Sequence, residues 1–401
     1  MLAAIFLLIP LSIAIAVLTV KHPETGGLYR WTRADFGPWH GFLAFWLYWI
    51  GIAFWFPSAA MFYMSVVLSN SGFAENRVAL VVASLAAIWI ALGTNLVGVG
   101  IGKWTENLGA SASWALGALL VVAAALVWRR HGAATAFHLM PDFSWDTVSF
   151  WATIAYAMTG LENIGFMGGE IRDPHRNLPR AAWISSVFAT LFYVGATMAL
   201  LVILLPGEIS ELNGLAQTGS AAGQILGTPW LSTAIVILVL ATAIGQFGGL
   251  GAAVSRMPFA AGVDHLFPAA FAKIHPRWNT PYIAIIALGV LASGLLVSIQ
   301  FGDTLRAAYQ TLVSLMVIAG FLPFLYLFGS AWIAGKRWSA ASGIGMTLLA
   351  IVCSVIPTGE IHNVWLFEFK LAAGTVAMVA AGWLIYRKFK SRAGLPSLST
   401  S

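Results

Sequence analysis

Long apolar runs alternate with short polar connections along almost the whole chain. Eleven of these runs have the length and low charge of membrane-spanning helices, which need about 20 mostly apolar residues. Their approximate bounds are 2–20, 39–69, 78–101, 107–128, 147–170, 181–205, 230–255, 281–300, 307–332, 341–357 and 366–386. The pattern predicts an all-α polytopic membrane protein, with residues 1–386 as one transmembrane domain and 387–401 as a tail.

The run 151–181 departs from this pattern because it carries a carboxylate inside an apolar span. Glu162 follows Thr159 and Gly160 directly, with no other charge from 147 to 169. A charge at mid-bilayer costs about 2.5–3.5 kcal/mol on insertion scales. Irregular, glycine-rich backbone at membrane depth is tolerated only where it lines a protein-buried or water-filled cavity. We therefore interpret this run as a broken transmembrane helix that binds something polar.

A structural interpretation of the same run stays open. Gly165, Gly168 and Gly169 follow the carboxylate, and glycines in membrane helices also allow close helix packing. Glu162 would then be a hydrogen-bonded structural group. The functional interpretation is favoured because ionisable residues within membrane spans usually mark substrate or ion pathways.

Composition agrees with a membrane protein and narrows its chemistry. The 401 residues are 59% hydrophobic and 9% charged, whereas soluble domains carry about 25% charged residues. The single cysteine, Cys353, excludes an intramolecular disulfide and a cysteine-based metal cluster. The net charge of +6 is spread over short loops, so we expect the lipid bilayer, and not nucleic acid, as a partner. We expect no cofactor and no metal.

The distribution of lysine and arginine predicts the orientation. Most of the 21 basic residues fall in alternate connections, together with the tail that begins at Arg387. The positive-inside rule places these connections and the C-terminus in the cytoplasm. We therefore expect a multi-pass protein of the plasma membrane.

The beginning of the chain conflicts with this orientation. With eleven spans and a cytoplasmic C-terminus, the N-terminus lies outside, yet Met1 opens directly into an apolar run. This run has no basic n-region and no cleavage signature, so it is not a convincing signal peptide. We expect that one further span precedes Met1, through either a mis-assigned start or a truncation.

Four passages of the sequence resemble the amino acid–polyamine–organocation (APC) transporter superfamily. They occur in the family's order and at approximately its spacing, so the resemblance covers nearly the whole chain. The passages are PETGGLYRWTRADFG at 23–37, Asn95 with Gly98, TGLENIGFMGGEIRDPHRNLPRA at 159–181, and SRMPFAAGVDHLFPAAFAKIHPRWNTP at 255–281.

The resemblance implies an inverted-repeat fold of five plus five helices followed by two additional helices. Residues 1–128 would be the remainder of the first repeat, 147–332 the second repeat, and 341–386 the additional pair. The first helix of each repeat is broken in this family, and the substrate lies between the two breaks. Eleven of the expected twelve helices are present, and the absent one is the first broken helix.

The resemblance also implies roles for the residues around the break at 159–162. Thr159, Gly160, Leu161 and Glu162 would bind substrate, with Glu162 as a gate or a proton-linked switch. Tyr156 lies where relatives place an aromatic residue that covers the substrate.

Four further candidates lie outside the break. Trp46 belongs to an aromatic-rich span, where such residues more often pack than line a site. Gly249 lies in a glycine-rich span suited to close packing or to backbone contact with substrate. Leu250 replaces a tryptophan of some arginine-exchanging relatives, which weakens the case for arginine. Ser113 replaces a lysine found in some proton-coupled relatives, which makes coupling by such a lysine doubtful.

The predicted function is secondary active transport of amino acids or related amines by alternating access, with proton coupling or exchange. The sequence has no G-x-x-x-x-G-K-[ST] motif for ATP binding. An intramembrane enzyme is a weaker alternative, because H-E-x-x-H and G-x-S-x-G motifs are absent. A second alternative is a non-transporting remnant or partner subunit.

Overall fold

The computed structural model describes residues 3–73, 76–136, 145–210, 212–299, 305–357 and 363–390. A π-helical turn at Ala4–Leu8 precedes the first of fourteen α-helices within these residues. The helices are α1 (Ile9–Lys21), α2 (Leu28–Phe36), α3 (Pro38–Leu68), α4 (Arg77–Leu96), α5 (Val99–His131), α6 (Trp145–Ala157), α7 (Asn163–Phe166), α8 (Pro174–Ile203), α9 (Gly214–Leu226), α10 (Trp230–Val263), α11 (Tyr282–Ile299), α12 (Leu305–Ile333), α13 (Arg337–Val355) and α14 (Val364–Lys390).

The helices confirm the predicted all-α, multi-pass membrane architecture. Nine helical segments among the described residues are long and apolar enough to cross a membrane. The shorter apolar helix α11 and the interrupted pair α6–α7 account for the other two predicted spans. Each predicted run therefore corresponds to a helix or, at 147–170, to a broken helix.

Two connections and several helix ends differ from the sequence-based expectation; α5 begins at Val99 and α8 at Pro174, about two turns before the predicted starts. The connection after the first span contains a helix, α2, and the connection at 206–229 contains another, α9. Helix α10 continues to Val263, although its apolar run was expected to end at residue 255. The hydropathy pattern ends early because Arg256 interrupts it. Arg256 is 5% exposed inside the helix, and not in a loop.

Helix α3 forms the centre of the main apolar core. It packs against α2, α4, α10, α11, α12 and α14, and most of its side chains are buried. A helix that is apolar all round is buried in this way. By contrast, α14 carries exposed Trp365, Phe369, Val376 and Leu384. Such a surface is suited to lipid, because soluble proteins rarely expose large contiguous apolar patches.

Glycines allow two pairs of helices to meet backbone to backbone. A Cβ atom at Gly109 of α5 would lie 2.5 Å from the Cα atom of Gly245 in α10. A Cβ atom at Gly51 of α3 would lie 2.9 Å from the amide nitrogen of Gly320 in α12. At Gly245, the glycine of this span therefore serves close helix packing.

We predict that Gly245→Val lowers the thermal unfolding midpoint of the purified protein in detergent micelles. The added side chain has no room beside Gly109, and overpacking of a dense interior costs about 1–3 kcal/mol. Gly294→Val is the matched control, because Gly294 lies in α11 with nothing within 4 Å of its Cβ position. Equal midpoints for the two variants would contradict the prediction.

Candidate functional site

The break between α6 and α7 is a short non-helical segment, residues 158–162. Helix α6 ends at Ala157 and α7 begins at Asn163. Gly160 has a φ of 111°, a conformation that only glycine adopts readily. The helix therefore breaks at the Thr-Gly-Leu-Glu segment, as predicted from the sequence.

Side chains of the break satisfy the backbone groups that leave the helical ladder. The amide of Gly160 donates to both carboxylate oxygens of Glu162, at 2.9 and 3.1 Å. Asn163 Nδ2 donates to the carbonyl of Gly160 at 2.9 Å, and Thr159 Oγ1 donates to the carbonyl of Tyr156 at 2.7 Å. Unpaired backbone groups are costly in an apolar medium, so these bonds make the break possible.

Tyr48 of α3 holds Glu162 from the opposite side. Its hydroxyl donates to Glu162 Oε1 at 2.5 Å and lies 3.2 Å from Asn163 Oδ1. Glu162 is 1% exposed and Tyr48 is 2% exposed. Bonds from a hydroxyl to a carboxylate are short and strong. Tyr48 was not among the predicted site residues, although a buried tyrosine hydroxyl normally requires a hydrogen-bond partner.

An ion pair joins the exit of the broken helix to α10. Arg256 Nε and Nη2 donate to the two carboxylate oxygens of Glu170 at 2.7 and 2.9 Å. Arg256 Nη1 donates to the carbonyl of Ala252 one turn earlier. A buried guanidinium needs a partner of this kind, because an unpaired buried charge is strongly destabilising.

The segment after the break packs closely on α2 and on the connection before it. The amide of Gly26 donates to the carbonyl of Phe166 at 3.1 Å. A Cβ atom at Gly165 would lie 2.5 Å from the ring of Trp31, and one at Gly168 would lie 2.3 Å from the carbonyl oxygen of Pro23. Glycines at 165 and 168 therefore serve this contact.

Asp264 ties α2 to the end of α10. It accepts hydrogen bonds from Tyr29 Oη at 2.6 Å, from Arg30 Nη1 at 2.8 Å and from Arg33 Nη1. Burial and the neighbouring carboxylate raise the pKa of the Tyr29 phenol. The phenol is therefore protonated at neutral pH and can donate to Asp264. This polar cluster and the Glu170–Arg256 pair both involve the C-terminal part of α10.

The remaining candidate residues lie at different contacts. Tyr156 packs against Gly320 and Phe321 of α12, and Leu161 is buried. Trp46 Nε1 donates to the carbonyl of Met378 in α14 at 2.8 Å, and its ring lies against Gly382.

The candidates on α5 and α10 have different surroundings. A Cβ atom at Gly249 would lie 3.5 Å from Glu106 Cγ. Leu250 is partly buried against the main core, and Ser113 is partly buried on α5. Among the described contacts, Tyr48 is bonded to the residues of the break, whereas Trp46 and Gly249 contact other elements.

The exposed groups of the break are hydrogen-bonding groups. Among the described residues, no three His, Cys, Asp or Glu side chains come together in a way that could hold a metal ion. Gly160 is exposed and Thr159 is partly exposed. The break therefore presents a hydroxyl and backbone groups beside a buried carboxylate.

A family model described as amino acid permease matches residues 1–387. The chain belongs to the amino acid permease family. The resemblance to the APC superfamily is thereby confirmed, and so is the expectation of a transporter and not an enzyme.

Several curated relatives of the permease carry transporter names. An uncharacterized transporter of Legionella pneumophila is 24% identical over 96% of this chain and 89% of its own length. The serine/threonine exchanger SteT of Bacillus subtilis is 24% identical over 95% and 85% of the two chains. The probable agmatine/putrescine antiporter AguD of Lactococcus lactis is 24% identical over 72% and 63%.

The fold of the permease also matches a solved transporter structure. The crystal structure of MhsT in complex with L-phenylalanine has a TM-score of 0.50 and 16% identity, covering 94% of this chain and 89% of that one. At this identity the likeness shows the fold alone, and it confirms the predicted inverted-repeat transporter class. The comparisons give no support to the remnant alternative. The further span before Met1 stays a prediction.

We predict that Tyr48→Phe lowers the thermal unfolding midpoint of the permease in detergent micelles. It removes the hydroxyl that donates to the buried Glu162, and a hydrogen bond to a charged group contributes about 1.5–3 kcal/mol. Tyr326→Phe is the control, because among the described residues its hydroxyl hydrogen-bonds only with the partly buried His40, at 3.0 Å. A smaller loss for Tyr48→Phe than for Tyr326→Phe would count against the assigned bond.

Proposed function

We propose that the permease is a secondary active transporter that moves amino acids or related amines across the plasma membrane by alternating access. The observation that carries the proposal is the break at 158–162, held by Glu162 between Gly160 and Tyr48. In this proposal residues 1–128 and 147–332 are the two repeats, 341–386 are the additional helices, and the C-terminus lies in the cytoplasm.

The chemistry of the break supports a substrate that carries an ammonium group. Among the described residues, the carboxylate of Glu162 makes no ion pair, and its hydrogen bonds come from neutral groups. A positively charged substrate group nearby would offset the cost of this buried charge. Serine, threonine, agmatine and putrescine, which appear in the names of two relatives, all carry such a group. Leu250 argues against arginine as the preferred substrate.

The position of Tyr48 supports a gating role for Glu162. Tyr48 belongs to α3 in the proposed first repeat, and Glu162 belongs to the broken helix that opens the second. Alternating access requires one group of helices to move relative to another. Movement of α3 relative to the broken helix would lengthen and break the 2.5 Å bond between Tyr48 and Glu162. We assign Glu162 as the gate, with Thr159, Gly160, Leu161 and Tyr156 around the substrate.

Counterflow in proteoliposomes tests the proposed function. Liposomes with the purified permease are preloaded with unlabelled serine, threonine, agmatine, putrescine or another amino acid, and the same compound is added outside in radiolabelled form. We expect accumulation of label above protein-free liposomes for at least one compound. No accumulation with any amino acid or amine, from a protein that elutes as a single folded species, would reject the proposal.

We predict that Glu162→Gln lowers this counterflow by about tenfold or more. Glutamine keeps one acceptor oxygen, but its NH2 group cannot accept the hydrogen bond that the replaced carboxylate oxygen accepts from Gly160 or Tyr48. A hydrogen bond to a charged group contributes about 1.5–3 kcal/mol. Membrane insertion and elution in detergent should stay as in the wild type. Glu208→Gln, at an exposed turn, is the matched control. Counterflow at the wild-type rate at every pH would remove Glu162 from the gate.

A further inference from the structure

A small cavity lies between α4, α5, α10 and the start of α11, outside the break. Its volume is about 30 Å³, and the polar side chains that line it are Asn95, Glu106, Arg256 and Thr280. A water molecule needs about 10–15 Å³ of such space and two to four polar partners. The cavity therefore has the size and the lining to hold one or two waters.

Glu106 is the acidic group that lines this cavity. It is half-buried, and its side chain lies against Gly249, 3.5 Å from the Cβ position of that residue. Among the described residues, no donor hydrogen-bonds its carboxylate and no cation forms an ion pair with it. Arg256 faces the same cavity, but its guanidinium is already bonded to Glu170 and to the carbonyl of Ala252.

The charges around the cavity do not balance. Glu106 and Glu170 carry two negative charges against the single positive charge of Arg256. The net charge of this partly buried set is therefore −1 when both carboxyl groups are ionised. Glu170 is 41% exposed and Glu106 is half-buried. One proton on Glu106 makes the set neutral and lowers the cost of the charge that is partly shielded from water.

The charged side chains nearest in sequence to the cavity lining are exposed, including Lys273 and Arg277 on the connection before α11. On α5 itself, Lys103 is exposed one turn earlier, and on α8 the side chains of Arg176 and Arg180 are exposed. On the connection before α11, His275 is stacked on Trp278. From α4, Asn95 contributes an uncharged amide that donates to the carbonyl of Gly248 at 2.5 Å.

Glu106 also lies close to the membrane surface. Lys103 and the 70% exposed Trp104 precede it on α5, and exposed Trp with Lys marks the interface between lipid and water. With a rise of about 1.5 Å per residue, Glu106 is only about 5 Å further along the helix than Lys103. Water from the basic side of the membrane can therefore reach the cavity after a small local opening.

We propose that Glu106 binds and releases the proton that is coupled to transport. The step transfers a proton from hydronium in the cavity to a carboxylate oxygen of Glu106, forming its O–H bond and leaving water. Glu162 is less suited to this task, because Tyr48 and Gly160 already occupy its oxygens. This inference rests on the proposed transport function and adds a residue that binds the coupled proton. Such a residue is needed because Ser113 replaces the lysine of some proton-coupled relatives.

Proton movement and counterflow together test the assignment. Proteoliposomes are loaded with a pH-sensitive dye, and a compound that the wild type exchanges is added outside. We expect the wild type to acidify the lumen on addition of this compound, and Glu106→Gln to lose the acidification. Counterflow by Glu106→Gln should persist at a rate of the same order and lose its pH dependence. Glu208→Gln serves as the control that keeps both activities.

Each failure points to a different error. Absence of counterflow in the wild type would reject the proposed function itself. Counterflow without proton movement in the wild type, or acidification that survives in Glu106→Gln, would overturn only the proton assignment. If Glu106→Gln also loses counterflow, the same two measurements are made on Glu106→Asp, which keeps a carboxylate. Recovery of both activities in Glu106→Asp supports the assignment, and recovery of neither shows a structural residue and overturns it.

Discussion

The structure depends on a carboxylate that hydrogen-bonds to its own broken helix. Interrupting a helix at membrane depth leaves backbone groups without partners, where water is absent to replace them. Glu162 meets this requirement by accepting the amide of Gly160, and Tyr48 fixes the carboxylate from α3. The same residue therefore makes the break stable and gives it a charge. That combination explains how an ionisable group remains inside an apolar span.

The other end of the broken helix is held by different forces. Gly165 lies under the ring of Trp31 with no space for a side chain, and Glu170 pairs with the buried Arg256. Asp264 adds contacts from α10 to Arg30 of α2. One end of the segment is thus held by steric contact and ion pairs, and the break by hydrogen bonds to a single carboxylate. A movement of this segment must therefore break the ion pairs and steric contacts at one end and the hydrogen bonds to Glu162 at the break.

Much of the architecture could be predicted because it follows from local composition. Each span is an apolar run, and the Gly160–Glu162 break is visible as glycine next to a charge. Contacts between distant residues were not predictable in this way. Hydropathy placed Arg256 in a loop because it does not register Glu170, a residue far away in the sequence. The sequence around Trp46 looks the same whether its side chain lines a site or packs against another helix. In the structure its indole donates to the carbonyl of Met378.

The contact between Gly109 and Gly245 has a consequence for how the helices can move. Where two backbones touch, no side chain can change its rotamer to accommodate sliding, so small displacements meet steric repulsion at once. We therefore expect α5 and α10 to move as one rigid body. Glu106 and Gly249 would then move together. The spacing between Glu106 and Arg256 would then be preserved, while the distance from either to Glu170 changes.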